Sequence, residues 1–201
     1  FTGEHNKLIT WNHLLNQSSD WSGELWGIND WGDRPETNSI DSMKYRKLYE
    51  PGTHYKYNDV RVNVLAYSLL NVFRKPLPKV LKENIMDPIG ASDSWRWYGY
   101  DNSWVNIDGQ WIQSVSGGGH SGGGIFINTL DHARFGLLYL SNGNWNGKQI
   151  ISKEWIDKAI YPSNTNPNYG YMWWLNNSKG KRYWKGVSEN VFYAAGFGGN
   201  Y

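Results

Sequence analysis

The sequence predicts an α+β chain, and three observations carry that prediction. Apolar residues recur at helical spacing in several stretches bounded by capping residues and breakers. One stretch alternates aromatic and polar residues around an Asp-Gly pair. Two aromatic stretches toward the C-terminal end read as strands. In chain order, Thr10 caps a short helix, WNHLLNQ, which turns Leu14 and Leu15 inward. Residues 18–46 are polar, with Gly, Asp, Pro and tryptophan-bearing turns, and read as an ordered loop or a pair of short turns. Asp59 caps VRVNVLAYSLLNVF, in which Val60, Val64, Leu65, Ser68 and Leu69 share a face; Pro76 and Pro78 break it. LPKVLKENIMDPIG is a second amphipathic helix, closed by Pro88 and Gly90. SWRWYGYDNSWVNIDGQWIQSV resembles a hairpin turning at Asp108-Gly109. Thr129 caps LDHARFGLLYLSNG, which ends at Gly143, and Ser152 caps SKEWIDKAIYP. YGYMWWLN and VFYAAGFGGNY are the strand candidates. No repeat, low-complexity tract or linker divides residues 1–201, so one domain is expected.

At 201 residues the chain can bury a sizeable core, and 39% hydrophobic against 19% charged residues argues against disorder. A net charge of +2 without runs of one sign gives no reason to expect nucleic acid or an acidic membrane as partner. There is no cysteine, and no apolar run long enough to span a bilayer. The opening FTGEHNKLITW is no signal peptide and suggests processing, trimming or a fragment. Thirteen Trp and fourteen Tyr beside 23 Gly admit two readings. Sugars stack on flat aromatic rings, or large rings fill the core of a loop-rich protein. The spread of the tryptophans along the chain favours the core.

Three chemical patterns compete. GGGHSG at 117–122 has dinucleotide-loop spacing, but IFIN follows where a helix should start. GHSGG at 119–123 fits a nucleophile elbow at Ser121. The only later histidine is His132, whose neighbour Asp131 points about 100° away on the same helix, which makes a poor relay. Ser178 and Lys181 match Ser-x-x-Lys, but Gly180 sits inside the match and no helical pattern supports it. The five histidines show no i, i+4 pair and no HExxH, so no metal or cofactor is expected.

The order of segments is more informative. ITWNHLLNQSSDW, YEPGTHYKYNDVRVNVLAYSLL, VLKENIMDPIGASDSW, GGGIFINTLDHARFGLLYLSNG, YGYMWW and AAGFGGNY together resemble the serine β-lactamase-like family. That family includes class C β-lactamases, penicillin-binding carboxypeptidases, esterases and amide hydrolases. The resemblance is most specific at Pro-Gly followed by an aromatic and a tyrosine motif at a helix head, and NTLDHARFGLLYL supports it. It implies a helical lobe against an antiparallel sheet, incomplete at both ends, with residues 169–201 as the sheet remnant. It implies an acyl-serine mechanism on a small-molecule ester or amide, with the serine in a segment of the protein outside this chain. Tyr57 is the implied general base or proton relay. A free phenol titrates near about 10, so that role needs a cation nearby. Asp59 falls where the family usually has Asn; a carboxylate there would repel a phenolate, hold the lysine amine or cap the helix. Tyr55 is expected to point away from Tyr57. Gly196, Gly198 and Gly199 fall on the third motif without its Lys or His, and their backbone N–H groups would form half of an oxyanion hole. Gln17, Ser18, His120 and Ser121 are substrate-groove candidates. The alternatives are an aromatic-rich glycan-binding module and a scaffold without a nucleophile.

Overall fold

The computed structural model describes residues 2–117, 123–177 and 179–196. In chain order its elements are α1 (Trp11–Leu15), β1 (Glu24–Leu25), β2 (Ile28–Asn29), α2 (Ile40–Lys44), α3 (Asp59–Phe73) and α4 (Leu77–Leu81). Then follow β3 (Arg96–Tyr98), β4 (Trp104–Ile107), β5 (Gln110–Gln113), β6 (Gly124–Phe126), α5 (Thr129–Leu140), β7 (Asn144–Trp145), β8 (Lys148–Gln149), α6 (Lys153–Ala159), β9 (Trp174–Leu175) and β10 (Phe192–Tyr193). The chain gathers into two compact units, residues 1–65 with 159–201 and residues 66–158.

In the first unit, the Thr10 cap forms as expected: its hydroxyl accepts the His13 N–H while the His13 ring accepts the Thr10 N–H, a reciprocal capping box. Leu14 is buried and Leu15 only half so. Residues 18–46 contain more structure than a loop. Trp26 and Gly27, both at positive φ, turn β1 back on β2, and Ser39 caps α2. The head of α3 differs from expectation by one residue. Asn58, not Asp59, is the cap, its side chain accepting the Arg61 N–H at 3.2 Å. From Asn58 to Ala66 every residue is buried, so this half of the helix has no solvent face. β9 and β10 pair antiparallel, Trp174 opposite Tyr193.

In the second unit, the remainder of α3 presents Ala66 and Leu70 to Leu77, Ile107, Ile112 and Val115. The β4–β5 hairpin turns at Asp108-Gly109 with both residues at positive φ, the mirror-image turn that suits the twist of two strands. Its register puts Ile107 and Ile112 into that core while Trp104 and Trp111 stay exposed. β3 is not an arm of this hairpin; it pairs with β6. Gly99, just after β3, is required where the chain passes the end of β5, because a Cβ there would lie 1.9 Å from the Ser114 carbonyl oxygen. The second amphipathic helix is split. After α4 the chain widens into a π-helical turn, Lys82–Met86. Met86, Ile89, Trp95 and Leu138 form a second core cluster.

The cap of α5 also moves by one, from Thr129 to Asn128, whose side chain accepts the Asp131 N–H. The Asp131 carboxylate accepts the Ser92 N–H and hydroxyl and pairs with Arg134 at 2.9 Å. The Asp131 and Arg134 of the NTLDHARFGLLYL segment therefore form a tie between the helix head and the loop at Ser92, and Asp131 is committed to it. His132 is exposed. Ser152 caps α6 as expected, accepting the Trp155 N–H at 3.1 Å. The prediction from this packing is a contrast on one helix. Leu138→Ala, at a fully buried site, should lower unfolding free energy by about 2–5 kcal/mol. Leu140→Ala, at 71% exposure, should stay within about 0.5 kcal/mol, both measured by urea denaturation.

Candidate functional site

The first unit places Tyr57 between a glycine turn and the head of α3. Gly52 holds φ +89°, and its N–H donates to the Ser18 carbonyl at 2.8 Å. A Cβ on Gly52 would meet His13 Nε2 at 2.9 Å, so the Pro-Gly pair packs directly on the α1 capping box. Burial lowers the His13 pKa. After the turn, Tyr55 and Tyr57 both pack on Tyr169, at ring-centroid distances of 5.3 and 6.2 Å. This corrects the expectation that Tyr55 points the other way: residues two apart in an extended segment share a side. Trp174 packs on Tyr57 at 5.6 Å and edge-on to Tyr169 at 4.9 Å, closing an aromatic cluster.

Tyr57 is half-buried, and its surroundings hold it neutral. Burial raises its pKa most, then the Asp59 carboxylate, which accepts a hydrogen bond from the phenol, and Asp33 adds to the rise. Arg34 opposes them, its guanidinium 4.5 Å from the Tyr57 ring centroid. Asp59 is buried at the first residue of α3, and its N–H donates to Asp33 Oδ2 at 2.8 Å. Burial also raises the Tyr55 and Tyr169 hydroxyls.

Beneath this lies a buried ionic network that sequence reasoning missed. Asp20 accepts from Arg61 at 2.5 Å, from Arg46 at 2.8 Å and from the Tyr49 N–H at 2.7 Å. Arg46 also reaches Asp30 at 2.8 Å. Asn58 donates from Nδ2 to the carbonyls of Asp30 and Asp33. Burial pushes the Asp20 carboxyl up, but Arg46, the Tyr49 N–H and the Arg61 charge outweigh it and hold it below the ordinary carboxylate value. Burial lowers the Arg61 pKa against the pull of Asp20. The available signal was an arginine at position 61 set among Val60, Val62 and Val64, which needs a buried carboxylate partner.

Gln17 and Ser18, expected in a substrate groove, are buried at 0% and 3% exposure because their polar groups are used inside the fold. Gly196 is described and exposed. Gly198, Gly199, His120, Ser121 and Ser178 lie outside the described residues. Among the described residues, no three His, Asp or Glu side chains gather as a metal site, and no helix is long and apolar enough to cross a membrane. A pocket of about 260 Å³ lies elsewhere in this unit, against Ile160, Pro162, Leu175, Glu189 and Phe192, and Tyr57 does not line it.

A family model described as Beta-lactamase matches residues 1–201, and the chain belongs to the beta-lactamase family. Comparison with curated proteins finds no match. Among solved structures the chain is similar to a putative beta-lactamase from Bacteroides dorei, with TM-score 0.57 and 18% identity over 86% of this chain and 55% of that one. It is also similar to a putative 6-aminohexanoate-dimer hydrolase from Bacillus anthracis, with TM-score 0.54 and 20% identity over 84% and 48%. A third is the octameric penicillin-binding protein homologue from Pyrococcus abyssi, with TM-score 0.51 and 17% identity over 81% and 42%. The fold is thus α+β and β-lactamase-like, and the chain spans about half the length of these structures.

The ionic network predicts an acid-sensitive contribution to stability. Asp20→Ala leaves Arg61 charged and buried, and should cost about 3–5 kcal/mol at neutral pH. The folded Asp20 value is depressed, so its stabilisation is complete above the unfolded carboxyl value near about 4. It is lost as pH falls through the folded value. The difference in urea midpoint between wild type and Asp20→Ala should therefore shrink from about pH 5 down to about pH 2.

Proposed function

We propose that this chain is part of a serine hydrolase that transfers an acyl group from a small-molecule ester or amide to water. The attacking serine is supplied by another segment of the same protein. The observation that carries this reading is Tyr57, a half-buried phenol bonded to a carboxylate at the head of α3, in the segment that carries the resemblance to the family. The serine hydroxyl attacks the acyl carbon and its proton passes toward Tyr57 and a lysine of the same outside segment. The proton then goes to the leaving group, and water releases the acyl group from the serine. Because burial and Asp59 raise the phenol, Tyr57 serves as a relay that enters each cycle protonated: it gives its proton to the neutral lysine amine as it takes the serine proton, so the phenolate exists only beside the lysine cation that this transfer creates. Asp59 is the carboxylate that receives that cation. The backbone N–H groups of Gly196, Gly198 and Gly199 supply half of the oxyanion hole, a role that needs no side chain.

In the full-length protein, Tyr57→Phe should lower kcat on an activated ester by about 10² to 10⁴ while the fold survives. An unchanged kcat removes the assignment. A fluorophosphonate probe should label the full-length protein on a serine outside residues 1–201 and leave the isolated chain unlabelled; label on Ser121 or Ser178 would move the nucleophile into this chain. A second reading, a glycan-binding surface without chemistry, is favoured by Trp104 and Trp111, exposed at 51% and 68% on one face of the β4–β5 hairpin. Binding on a glycan array that survives Tyr57→Phe, with no hydrolysis in the full-length protein, would select it.

A further inference from the structure

Gln17 makes two hydrogen bonds that bracket the proposed catalytic tyrosine. Its backbone carbonyl accepts the Lys56 N–H at 2.9 Å, and its side-chain Oε1 accepts the Asn58 N–H at 2.9 Å. In an extended strand, alternate amides point to the same side and meet alternate carbonyls of a neighbouring strand. Here one residue provides both acceptors, the side-chain amide standing where the next backbone carbonyl would be. The other end of the side chain is also held: Nε2 donates to the Leu14 carbonyl at 3.4 Å and reaches the Met172 sulfur at 3.9 Å. Met172 is anchored in turn, its N–H donating to the Leu15 carbonyl at 3.0 Å. Two residues on, Trp174 packs against the Tyr57 ring. Gln17 is fully buried and holds φ +54°, a conformation that a residue with a Cβ adopts only where its surroundings enforce it.

We infer that Gln17 is a positioning residue for Tyr57. It fixes the backbone on both sides of position 57, and through Met172 it holds the segment that carries the Trp174 ring, so that the phenol is aimed before substrate arrives. This rests on the proposed role of Tyr57. Gln17 touches no substrate: buried on all sides, it acts only through the tyrosine. Misaiming the relay raises the barrier of the chemical step and leaves ground-state binding alone, so the effect falls on kcat.

The test is a double-mutant cycle on the full-length protein with an activated ester. Gln17→Met keeps the volume and removes the Oε1 acceptor. It should lower kcat about 10- to 100-fold with KM within about threefold. In the Tyr57→Phe background the same change should cost less than about threefold, because the relay it aims is gone. If Gln17→Met does not fold, Gln17→Asn carries the cycle: its amide falls a methylene short of the Asn58 N–H, and asparagine tolerates positive φ. Equal losses in the two backgrounds would show a general structural role and overturn the inference. A rise in KM at constant kcat would return Gln17 to substrate binding and overturn it as well. A Tyr57→Phe variant with unchanged kcat would instead remove the tyrosine's role, and with it anything for Gln17 to position.

Discussion

The first unit depends on a single carboxylate. Asp20 is almost completely buried and accepts from two guanidinium groups and one backbone N–H. Those donors come from two segments, Arg46 and Tyr49 in the loop after α2 and Arg61 in α3, and Asp20 itself follows directly on Gln17, Ser18 and Ser19. A buried charge of this kind adds little net stability compared with apolar packing, but it is costly to leave unpaired. It therefore acts as a discriminator of conformations. Any arrangement that moves the Arg46 loop or the head of α3 away from Asp20 leaves a charge stranded in the core. That constraint explains why α3 can be buried on every side from Asn58 to Ala66 and still start at a fixed residue.

The family signature turns out to be largely architectural. The Pro-Gly turn exists because Gly52 must pack on the His13 ring at positive φ. The Asp131-Arg134 pair ties α5 to the Ser92 loop. Motifs of this sort preserve the frame in which the chemistry sits, which is why segment order identified the family more surely than any isolated catalytic pattern.

Much of the fold was legible where local rules decide it. Thr10, Ser152 and Asp108-Gly109 act as their residue types demand, since each effect lies within four residues of its cause. The misplaced caps at Asn58 and Asn128 each had a second capping residue directly beside them, and only the geometry of the entering chain selects between neighbours. Asn146-Gly147, both at positive φ, turns β7 onto β8 by the same local rule. What the sequence withheld was the site's support. Gln17, Asp20, Asp30 and Asp33 meet residues 46–61 across gaps of 16 to 41 positions, and no spacing rule reaches that far. Tyr55 and Tyr57 were misread because two-residue periodicity puts them on one side, where Tyr169 receives both.

The π-helical turn at Lys82–Met86 has a consequence for chain length. A π turn is an α-helix carrying one surplus residue, stored as a wider loop of backbone. Met86, its last residue, and Ile89, just beyond it, are core residues, while Glu83 and Asn84 face solvent. A homologue one residue shorter at this point would close the turn to ordinary α-helix and keep Met86 and Ile89 on the buried side. Insertions and deletions are usually confined to loops; here a helix has its own place to absorb one, and alignments of relatives that force such gaps into the neighbouring loops will shift the register of the core.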